Sequence, residues 1–530
     1  MQRRDLLAAG LAAGAATALP RIAAAQTARN RTLRFVPQAN LTSLDPIWTT
    51  AYITRNHGLM IFDTLYGTGS DFQPQPQMAE GHVFEQDNKV CTVTLRAGLR
   101  FHDGEPVRAV DCVASLTRWM RRSPMGQKLA TVVEELSALD DRRLRFRLKQ
   151  PFPLLIHAIG SVNAPIPFIM PERLARTDPF QQVREAVGSG PYRFKADEFN
   201  SGSMVVYERN AAYSPTPAGT RSLTAGPKVA NFDRVEWHII TDAATAASAL
   251  QTGEIDWYEQ PTPEFRQLFA RTRDIKTEPI DPLPNAAIMR FNHLHPPFND
   301  KKIRQAILAA VSQEDYLTAI VGTDPGMFQA VTGVFTPGTP LASDVGLEPL
   351  KGPRDIDRAK AMLREAGYTN QQMRLIGPTD ILAPSALSQV GADMFRRLGM
   401  NMDLVLTDWG TVVQRRASRE PLERGGWSVF YTAFGSYDFL DPSGHFPIRG
   451  NGANAWFGWP TVPRLEELRD AWFDAPDAAT QKRLAVDIQR VVMDEVPYVP
   501  LGSYVSMTAM RRDLVDRVVG PAMFWGIRRA

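Results

Sequence analysis

The chain has 530 residues, a length that predicts three or four domain-sized units or two large ones, at about 150 residues per domain. Apolar residues make up 44% and charged residues 22%, and 37 Gly and 40 Pro are spread along the chain, which excludes collagen-like, disordered and disulfide-framework proteins. The formal net charge of +3 is too small for a nucleic-acid-binding or membrane-surface protein, so no nucleic-acid partner is predicted.

The first 25 residues have the pattern of an export signal. Arg3 and Arg4 precede an apolar stretch from Leu6 to Leu19, and a run of alanines ends at Ala25. This pattern predicts a signal peptide at 1–25, cleavage near Ala25 and a periplasmic location. The paired arginines and the leucines after them resemble the twin-arginine signal, with a general secretory signal as the alternative. The apolar stretch is shorter than the roughly 20 residues of a spanning helix, so no direct membrane anchor is predicted.

Cys91 and Cys112 are the two cysteines of the chain, although the predicted compartment is oxidising. Their spacing does not decide between a disulfide and two buried thiols, so both alternatives stay open. A chain of this length buries a large core without disulfides.

Strands are predicted where apolar and polar residues alternate. Five segments have this period of two, namely 33–35, 91–95, 144–148, 235–239 and 402–406. Helices are predicted after the N-caps Asn299 and Asp355, and Gly367 ends the second of them. A third helix, 387–398, ends at Gly399 and leads into the last strand. This order of helix, glycine and strand indicates an α/β protein.

Two proline-rich segments are predicted to connect two lobes. They are 281–284 and 496–500, and they flank a block with the pattern of one α/β domain. We therefore expect one discontinuous lobe, one inserted lobe and two crossing segments. A cleft between two such lobes encloses a ligand.

Motifs of catalysis are missing from the sequence. There is no Walker loop, G-x-G-x-x-G, H-E-x-x-H, C-x-x-C or G-x-S-x-G. His293 and His295 would share one strand face, but no further ligand is indicated nearby, so no metal site is predicted. No catalytic residue and no cofactor are predicted.

Five short blocks of sequence occur in an informative order. They are LDP at 44–46, LRAGLRFHDGEP at 95–106, VGSGPY at 187–192, PFNDKKIRQA at 297–306 and DRAKAMLREAGY at 357–368. In this order they resemble the blocks of the extracellular solute-binding proteins of family 5, which serve dipeptide, oligopeptide and nickel ABC importers. The resemblance covers nearly the whole chain after the signal peptide.

The resemblance implies a type II periplasmic binding protein fold of the α/β class, with two lobes, hinge strands and an extra subdomain in the first lobe. The expected limits are 26–284 for the first lobe, about 70–185 for its subdomain, 285–490 for the second lobe and 491–530 for a C-terminal return into the first lobe. The resemblance also implies a receptor without enzymatic activity that delivers its ligand to ABC permease subunits in the inner membrane. We expect a monomer.

The resemblance implies an anionic anchor in the second lobe. Asp438 precedes Asp441-Pro442 by three residues, the spacing at which peptide-binding members hold the α-amino group of the ligand. A carboxylate in a dry cleft is a strong partner for an ammonium group, because a charge-assisted hydrogen bond is stronger than a neutral one. Asp438 is therefore predicted to bind the amine.

Four aromatic residues of the second lobe are further candidates. Trp409 follows the 402–406 strand, where peptide-binding members also have a Trp, and it is predicted to form an apolar wall. A Trp in the core is the alternative. Gly435 replaces an aromatic residue of the family, and Phe434 beside it is the candidate instead, so a differently shaped pocket is expected. Trp427 and Tyr431 complete the set, although their segment also reads as a buried strand.

In the first lobe, the resemblance implies that Thr50, Ala51 and Tyr52 contact ligand, with Thr50 in place of an acidic residue that some members use. The sequence therefore predicts a receptor for peptides or other small amine-bearing solutes. A different solute, such as a nickel chelate, a sugar or an opine-like compound, is one alternative. A secreted hydrolase is another, which requires a nucleophile with a base or a metal constellation, and the sequence indicates neither.

Overall fold

The structure is a computed structural model that describes residues 31–352 and 354–530. The predicted signal peptide at 1–25 lies outside the described residues. The strands are β1 Thr32–Val36, β2 Asp63–Thr64, β3 Tyr66–Thr68, β4 Pro74–Pro76, β5 Ala79–Glu85, β6 Val90–Leu95, β7 Val133–Ala138, β8 Arg143–Leu148, β9 Phe168–Ile169, β10 Tyr192–Phe194, β11 Met204–Arg209, β12 Arg234–His238, β13 Trp257–Tyr258, β14 Ile275–Pro279, β15 Asn285–Phe291, β16 Phe328–Gln329, β17 Met373–Pro378, β18 Met402–Thr407, β19 Val429–Phe434, β20 Tyr498–Tyr504, β21 Met507–Arg511, β22 Leu514–Val515 and β23 Arg528–Arg529. The five predicted strands are all present, in β1, β6, β8, β12 and β18.

The helices lie between these strands in the α/β order that the sequence indicates. They are α1 Tyr52–Ile61, α2 Ala109–Met120, α3 Pro124–Val132, α4 Leu155–Ile159, α5 Glu172–Ala175, α6 Ala243–Thr252, α7 Pro263–Ala270, α8 Lys301–Ala310, α9 Gln313–Val321, α10 Ile356–Glu365, α11 Leu382–Arg397, α12 Trp409–Arg415, α13 Pro463–Phe473 and α14 Ala478–Glu495. Within the described part of the chain, no helix combines the length and the apolar character that a membrane crossing requires.

The first lobe is built on a seven-stranded sheet with the spatial order β10-β11-β12-β1-β13-β21-β14. Its central strand β1 is parallel to both neighbours, β12 and β13. The ring of Phe35 on β1 lies 4.8 Å from Trp257, 5.0 Å from Phe524 and 5.8 Å from Trp237, measured between ring centroids. Because Phe524 belongs to the C-terminal segment, this aromatic core holds the end of the chain in the first lobe.

The second lobe is built on a six-stranded sheet with the order β16-β20-β15-β19-β17-β18. Strands β17 and β18 are parallel, and α11 connects them as the crossover helix. The buried residues of α11, among them Leu387 and Met394, lie on the apolar stripe that predicts this helix. Gly399 has a φ of +73°, which favours glycine and allows the chain to turn directly into β18.

A separate four-stranded antiparallel sheet, β5-β6-β8-β7, lies inside residues 70–185. Helix α2 packs against this sheet. Cys91 on β6 and Cys112 on α2 are both buried free thiols. The structure therefore decides the cysteine alternatives in favour of two buried thiols, and burial raises the pKa of the Cys91 thiol to about 12.

The chain passes between the two sheets twice. The first crossing is 280–284, between β14 and β15, and the second is Val505-Ser506, between β20 and β21. The expected end of the second lobe at 490 and the crossing at 496–500 are therefore wrong. Strand β20 is a full member of the second sheet although Pro500 lacks an N–H. The register between β15 and β20 shifts between Ala286 and Ile288, and this irregularity beside the Ile288–Pro500 pair accommodates the proline.

The N-cap of α8 also differs from the prediction. Asp300, and not Asn299, accepts a hydrogen bond from the backbone N–H of Lys302, at 2.7 Å. Asn and Asp are equally good caps, so the sequence pattern does not separate two adjacent candidates. Asp355 caps α10 as predicted, accepting from the N–H of Arg358 at 2.8 Å.

Candidate functional site

A cavity of about 80 Å³ lies between the two lobes. The first lobe contributes polar and charged side chains, including Thr50, Tyr52, Arg55, Glu259 and Asp281. The second lobe contributes Trp409, Arg416, Thr432, Phe434, Tyr437 and the backbone at Gly435. Of the sequence-predicted residues, Thr50, Ala51, Tyr52, Trp409 and Phe434 line this cavity.

Strand ends explain why these residues meet. Gln38 follows β1, Glu259 follows β13, and Trp409 follows β18, and each of these strands pairs in parallel with a neighbour. The carboxyl ends of parallel strands are where ligands bind in open α/β sheets. The two sheets turn these ends toward the same cavity.

Asp438 lies behind Tyr52 and does not itself line the cavity. The Tyr52 hydroxyl donates a hydrogen bond to Asp438 Oδ2 and accepts one from the backbone N–H of Gly435. The other carboxylate oxygen, Oδ1, accepts from the N–H of Ala164 at 3.3 Å. Because Tyr52 and Ala164 belong to the first lobe, the carboxylate of Asp438 joins the two lobes.

Burial raises the pKa of both Asp438 and Tyr52. Burial raises the pKa of Asp438 to about 6, although the hydrogen bond from Tyr52 and the nearby Arg55 both oppose the shift. Burial and the Asp438 carboxylate also raise the pKa of Tyr52 well above its usual range. Tyr52 therefore keeps its proton and remains the donor.

Two further carboxyl groups line the first-lobe side. Glu259 accepts from the backbone N–H of Gln38 at 2.7 Å and from Asn56 Nδ2 at 3.1 Å, and burial raises its pKa to about 7. Burial also raises the pKa of Asp281. In residues 31–352 and 354–530, however, there is no group of three or more His, Cys, Asp or Glu residues that could hold a metal ion.

Arg416 is a buried cation of the second lobe that no local sequence pattern indicates. Its side chain is 2% exposed, and its one hydrogen bond, from Nη2 to Thr50 Oγ1, is long at 3.5 Å. Its guanidinium lies 5.5 Å from the ring centroid of Trp409 and 4.9 Å from that of Phe457. No carboxylate of the described residues lies within 4.0 Å of it, and burial lowers its pKa to about 9.

Arg55 is the matching cation of the first lobe. It is 9% exposed and its guanidinium lies 3.9 Å from the ring centroid of Tyr52. Its one side-chain hydrogen bond goes to Asn56 Oδ1 at 3.4 Å, and Nε has no partner among the described residues. The cavity therefore contains two buried arginines that form no ion pair within 4.0 Å with the described residues, beside buried carboxyl groups that accept hydrogen bonds.

Two predicted residues point away from the cavity. The Trp427 indole N–H donates to the carbonyl of Ser418 at 3.1 Å, and the Tyr431 hydroxyl lies 3.3 Å from that of Tyr316, between β19 and α9. Neither lines the cavity. The buried-strand alternative is therefore the correct one for this segment, because the side chains of β19 alternate between the cavity face and the helix face.

A wider cavity of about 750 Å³ continues from the first one along the cleft. The two share Gln38, Ala39, Gln260 and Ile381. Its second-lobe wall includes Arg354, whose guanidinium is 3.0 Å from Asp315. The cleft is thus wide at one end and narrow where Arg55 and Arg416 lie.

The comparisons with known proteins agree with this two-lobed architecture. The sequence model of "Bacterial extracellular solute-binding proteins, family 5 Middle" matches residues 73–455. The chain is 36% identical to the "Probable peptide ABC transporter periplasmic-binding protein y4tO" of Sinorhizobium fredii, over 100% of both chains. It is 24% identical to the "Nickel-binding periplasmic protein" of Escherichia coli, over 86% of this chain and 85% of the relative.

Solved structures show the same fold. The binding protein AgaA from A. tumefaciens R10, in complex with agropinic acid, has a TM-score of 0.77 and 19% identity, over 94% of this chain and 99% of the other. The periplasmic binding protein DppA from Helicobacter pylori, in complex with the peptide STSA, has a TM-score of 0.76 and 20% identity, over 95% and 99%. These matches confirm the predicted type II periplasmic binding protein fold. The chain belongs to the bacterial extracellular solute-binding proteins of family 5.

Proposed function

We propose that this protein is the periplasmic substrate-binding protein of an ABC importer and captures peptides or other small amine-bearing solutes between its lobes. The observation that carries the proposal is the inter-lobe cavity, where two buried arginines with unpartnered Nε atoms lie close to buried carboxyl groups. Burying a charge without a partner is costly, so such groups persist where a ligand supplies the partner. A solute with an ammonium and a carboxylate group supplies both.

The anionic partner for the amine is Asp438 in this proposal. In the ligand-free arrangement the Tyr52 hydroxyl already occupies its Oδ2, so the amine has to displace that hydroxyl. The exchange replaces a neutral hydroxyl donor with an ammonium group, whose positive charge is attracted to the carboxylate in addition to the hydrogen bond. Tyr52 and Gly435 are then free to contact the ligand from opposite lobes.

The cationic partner for the carboxylate is Arg416. Its planar guanidinium binds a carboxylate through two parallel hydrogen bonds, and its present bond to Thr50 at 3.5 Å is easily exchanged. Trp409 and Phe434 form apolar walls beside it. In this proposal the ligand is bound without turnover and leaves unchanged toward the permease, as the family assignment supports.

The test is a thermal-shift screen of the mature protein against dipeptides and their N-acetylated forms, because a ligand that binds only the folded state raises the melting temperature. We expect free dipeptides to raise it and the acetylated forms to fail. Asp438→Asn is expected to weaken binding by about 10- to 100-fold, the value of a charge-assisted hydrogen bond.

Asp441→Asn is the matched control, since Asp441 accepts from the N–H of Ser443 in a local turn. It should leave the affinity unchanged. Equal binding of acetylated dipeptides, or equal losses in the two variants, contradicts Asp438 as the anchor. The appearance of cleavage products in the dipeptide samples contradicts the receptor itself and favours a hydrolase.

A second candidate ligand class is an opine-like compound with more than one acid group. The cavity holds two arginines without carboxylate partners within 4.0 Å among the described residues, Arg55 and Arg416, which favours a ligand with two anionic groups. An opine in the same screen distinguishes the classes. A larger shift with the opine than with every dipeptide favours the second candidate.

Export is part of the proposal. The family assignment supports a periplasmic location, and we infer cleavage near Ala25 from the alanine run there. Mass spectrometry of the exported protein gives the mature N-terminus directly.

A further inference from the structure

A second pocket spans the two lobes at the rim of the cleft, apart from the cavity described above. It has a volume of about 330 Å³, and we call it the rim pocket. Its first-lobe wall contains Trp48, Arg121, Arg122 and Phe180, and its second-lobe wall contains Arg419 and Trp459. No Asp or Glu of the described residues lines it, so the pocket is strongly cationic.

Arg122 and Arg419 in the rim pocket are held in place by contacts other than close ion pairs with the described residues. Arg122 donates to the backbone carbonyl of Trp48 at 2.6 Å, and its guanidinium lies 4.8 Å from the Phe180 ring centroid. Arg419 donates to the carbonyl of Ala453 at 2.7 Å and lies 4.9 Å from the Trp459 ring centroid. Neither is within 4.0 Å of a carboxylate in the described part of the chain. Aromatic faces and carbonyls orient both groups and leave N–H donors unused.

Trp456 and Arg121 also line the rim pocket. Trp456 is 6% exposed, and its indole N–H has no hydrogen-bond partner among residues 31–352 and 354–530. Arg121 is exposed at the mouth and forms no ion pair with the described residues. Arg449, by contrast, is occupied by Glu466 at 3.0 Å and by Gln127 at 2.7 Å. Arg121, Arg122 and Arg419 therefore remain available to an anion in the rim pocket, and Trp456 contributes an apolar wall.

We propose that the rim pocket binds a small organic anion that combines a flat ring with two or more carboxylate groups. Planar guanidinium groups bind carboxylates in a fixed geometry, and the flat ring packs on the tryptophan faces. Since the walls come from both lobes, this anion binds the closed arrangement better than the open one and shifts the protein toward closure. The rim pocket is thereby a second ligand site that acts on capture at the first.

The probe is benzene-1,3,5-tricarboxylate, titrated into the mature protein by isothermal titration calorimetry, with citrate as the anion that lacks a ring. We expect the aromatic anion to bind more tightly than citrate. Arg121→Gln and Arg419→Gln should each weaken its binding by about tenfold or more, the value of one charge-assisted hydrogen bond. Arg121 is exposed and its side chain forms no ion pair with the described residues, so we expect this variant to fold, and its circular dichroism spectrum checks this.

Arg358→Gln is the matched control, because it removes one exposed arginine on α10, away from the pocket. It should leave the affinity unchanged. Three results overturn the proposal: no binding of the aromatic anion, equal weakening by the control, or equal affinities for citrate and the aromatic anion. A small-angle scattering profile that does not become more compact on adding the anion overturns its coupling to closure.

Discussion

Arg416 is a side chain whose buried charge lowers the stability of the fold and is available to bind a ligand. The buried guanidinium has no carboxylate within 4.0 Å among the described residues and contacts four aromatic rings instead, those of Trp409, Phe430, Trp456 and Phe457. Interactions with aromatic faces recover part of the cost of removing the charge from water, and a ligand carboxylate recovers the rest.

Replacing Arg416 separates its effect on stability from its effect on ligand binding. Arg416→Met keeps the volume and removes the buried charge, so the free energy of unfolding is expected to rise by about 1–4 kcal/mol while carboxylate-bearing ligands lose affinity. Thermal denaturation with and without ligand measures both. Arg415→Met, whose side chain reaches only the carbonyl of Gly425 at 3.4 Å, is the control and should change neither. A lower melting temperature for Arg416→Met contradicts the prediction.

Glu259 makes stability depend on pH. Its pKa in the folded protein is about 7, above the 4.5 of an unfolded chain, so the folded state binds the proton more tightly. The contribution of Glu259 to the free energy of unfolding is therefore complete below about pH 4.5. It is lost as the pH rises through about 7, and the loss amounts to roughly 3 kcal/mol.

Glu259→Gln should remove the loss of stability that ionisation of Glu259 causes as the pH rises. We expect the melting temperature of the variant to match the wild type at pH 4.5 and to exceed it increasingly up to pH 8, as followed by circular dichroism. Glu254→Gln changes an exposed carboxyl five positions earlier and should show no such trend. A constant difference between Glu259→Gln and wild type across this range would mean that Glu259 does not titrate there.

At the scale of the elements, helix α8 begins at one of two adjacent candidate caps. Asp300→Ala removes the acceptor for the N–H of Lys302 and should lower the free energy of unfolding by about 1 kcal/mol. Asn299→Ala removes an exposed side chain and should have little effect. Chemical denaturation of both variants tests the assignment, and a larger loss for Asn299→Ala reverses it.

Strand β19 shows why the elements were easier to predict than the directions of their side chains. Its apolar run indicates a buried strand, and a strand buried on both faces carries no alternation that tells which residues face the cavity. Tyr431 lies against α11, where a Cβ on Gly391 would come within 1.9 Å of its hydroxyl. Phe434 faces the cavity from the same strand.

At the scale of the whole molecule, we expect lobe opening to control ligand access to the buried arginines. The wide part of the cleft has about 750 Å³, but the part that holds Arg55 and Arg416 has about 80 Å³, below the roughly 300–1,000 Å³ of small-molecule pockets. A ligand is therefore expected to reach these arginines only when the lobes separate. Contacts across the rim hold them together, among them Gln182 with Gln414 at 3.4 Å and Lys128 with Asp470 at 2.9 Å.

Joining the lobes should therefore block uptake. In the variant Gln182→Cys/Gln414→Cys, a short bismaleimide linker joins the two cysteines. It should lower the rate of ligand binding by more than tenfold, because the lobes are then held closed before the ligand arrives. Cys91 and Cys112 are buried and do not compete for the reagent. Stopped-flow tryptophan fluorescence measures the rate. The two single variants treated with the reagent are the controls, and an unchanged rate in the linked protein contradicts gating by lobe separation.

The family, the α/β class, five strands and the α10 cap were predictable from sequence, since alternation, capping and short motifs are local patterns. Five of the eight candidate site residues line the inter-lobe cavity, and their roles in binding stay predictions. Asp300 was not predictable, because the adjacent Asn299 is an equally good cap. The crossing at 505–506 was not predictable either, because Pro500 indicates a break although it lies inside a paired strand. Arg55, Glu259 and Arg416 become a site only when segments more than 150 residues apart meet. Folding alone determines which charges find partners and which stay unpaired, because burial and distance, rather than residue type, set the cost of a charge.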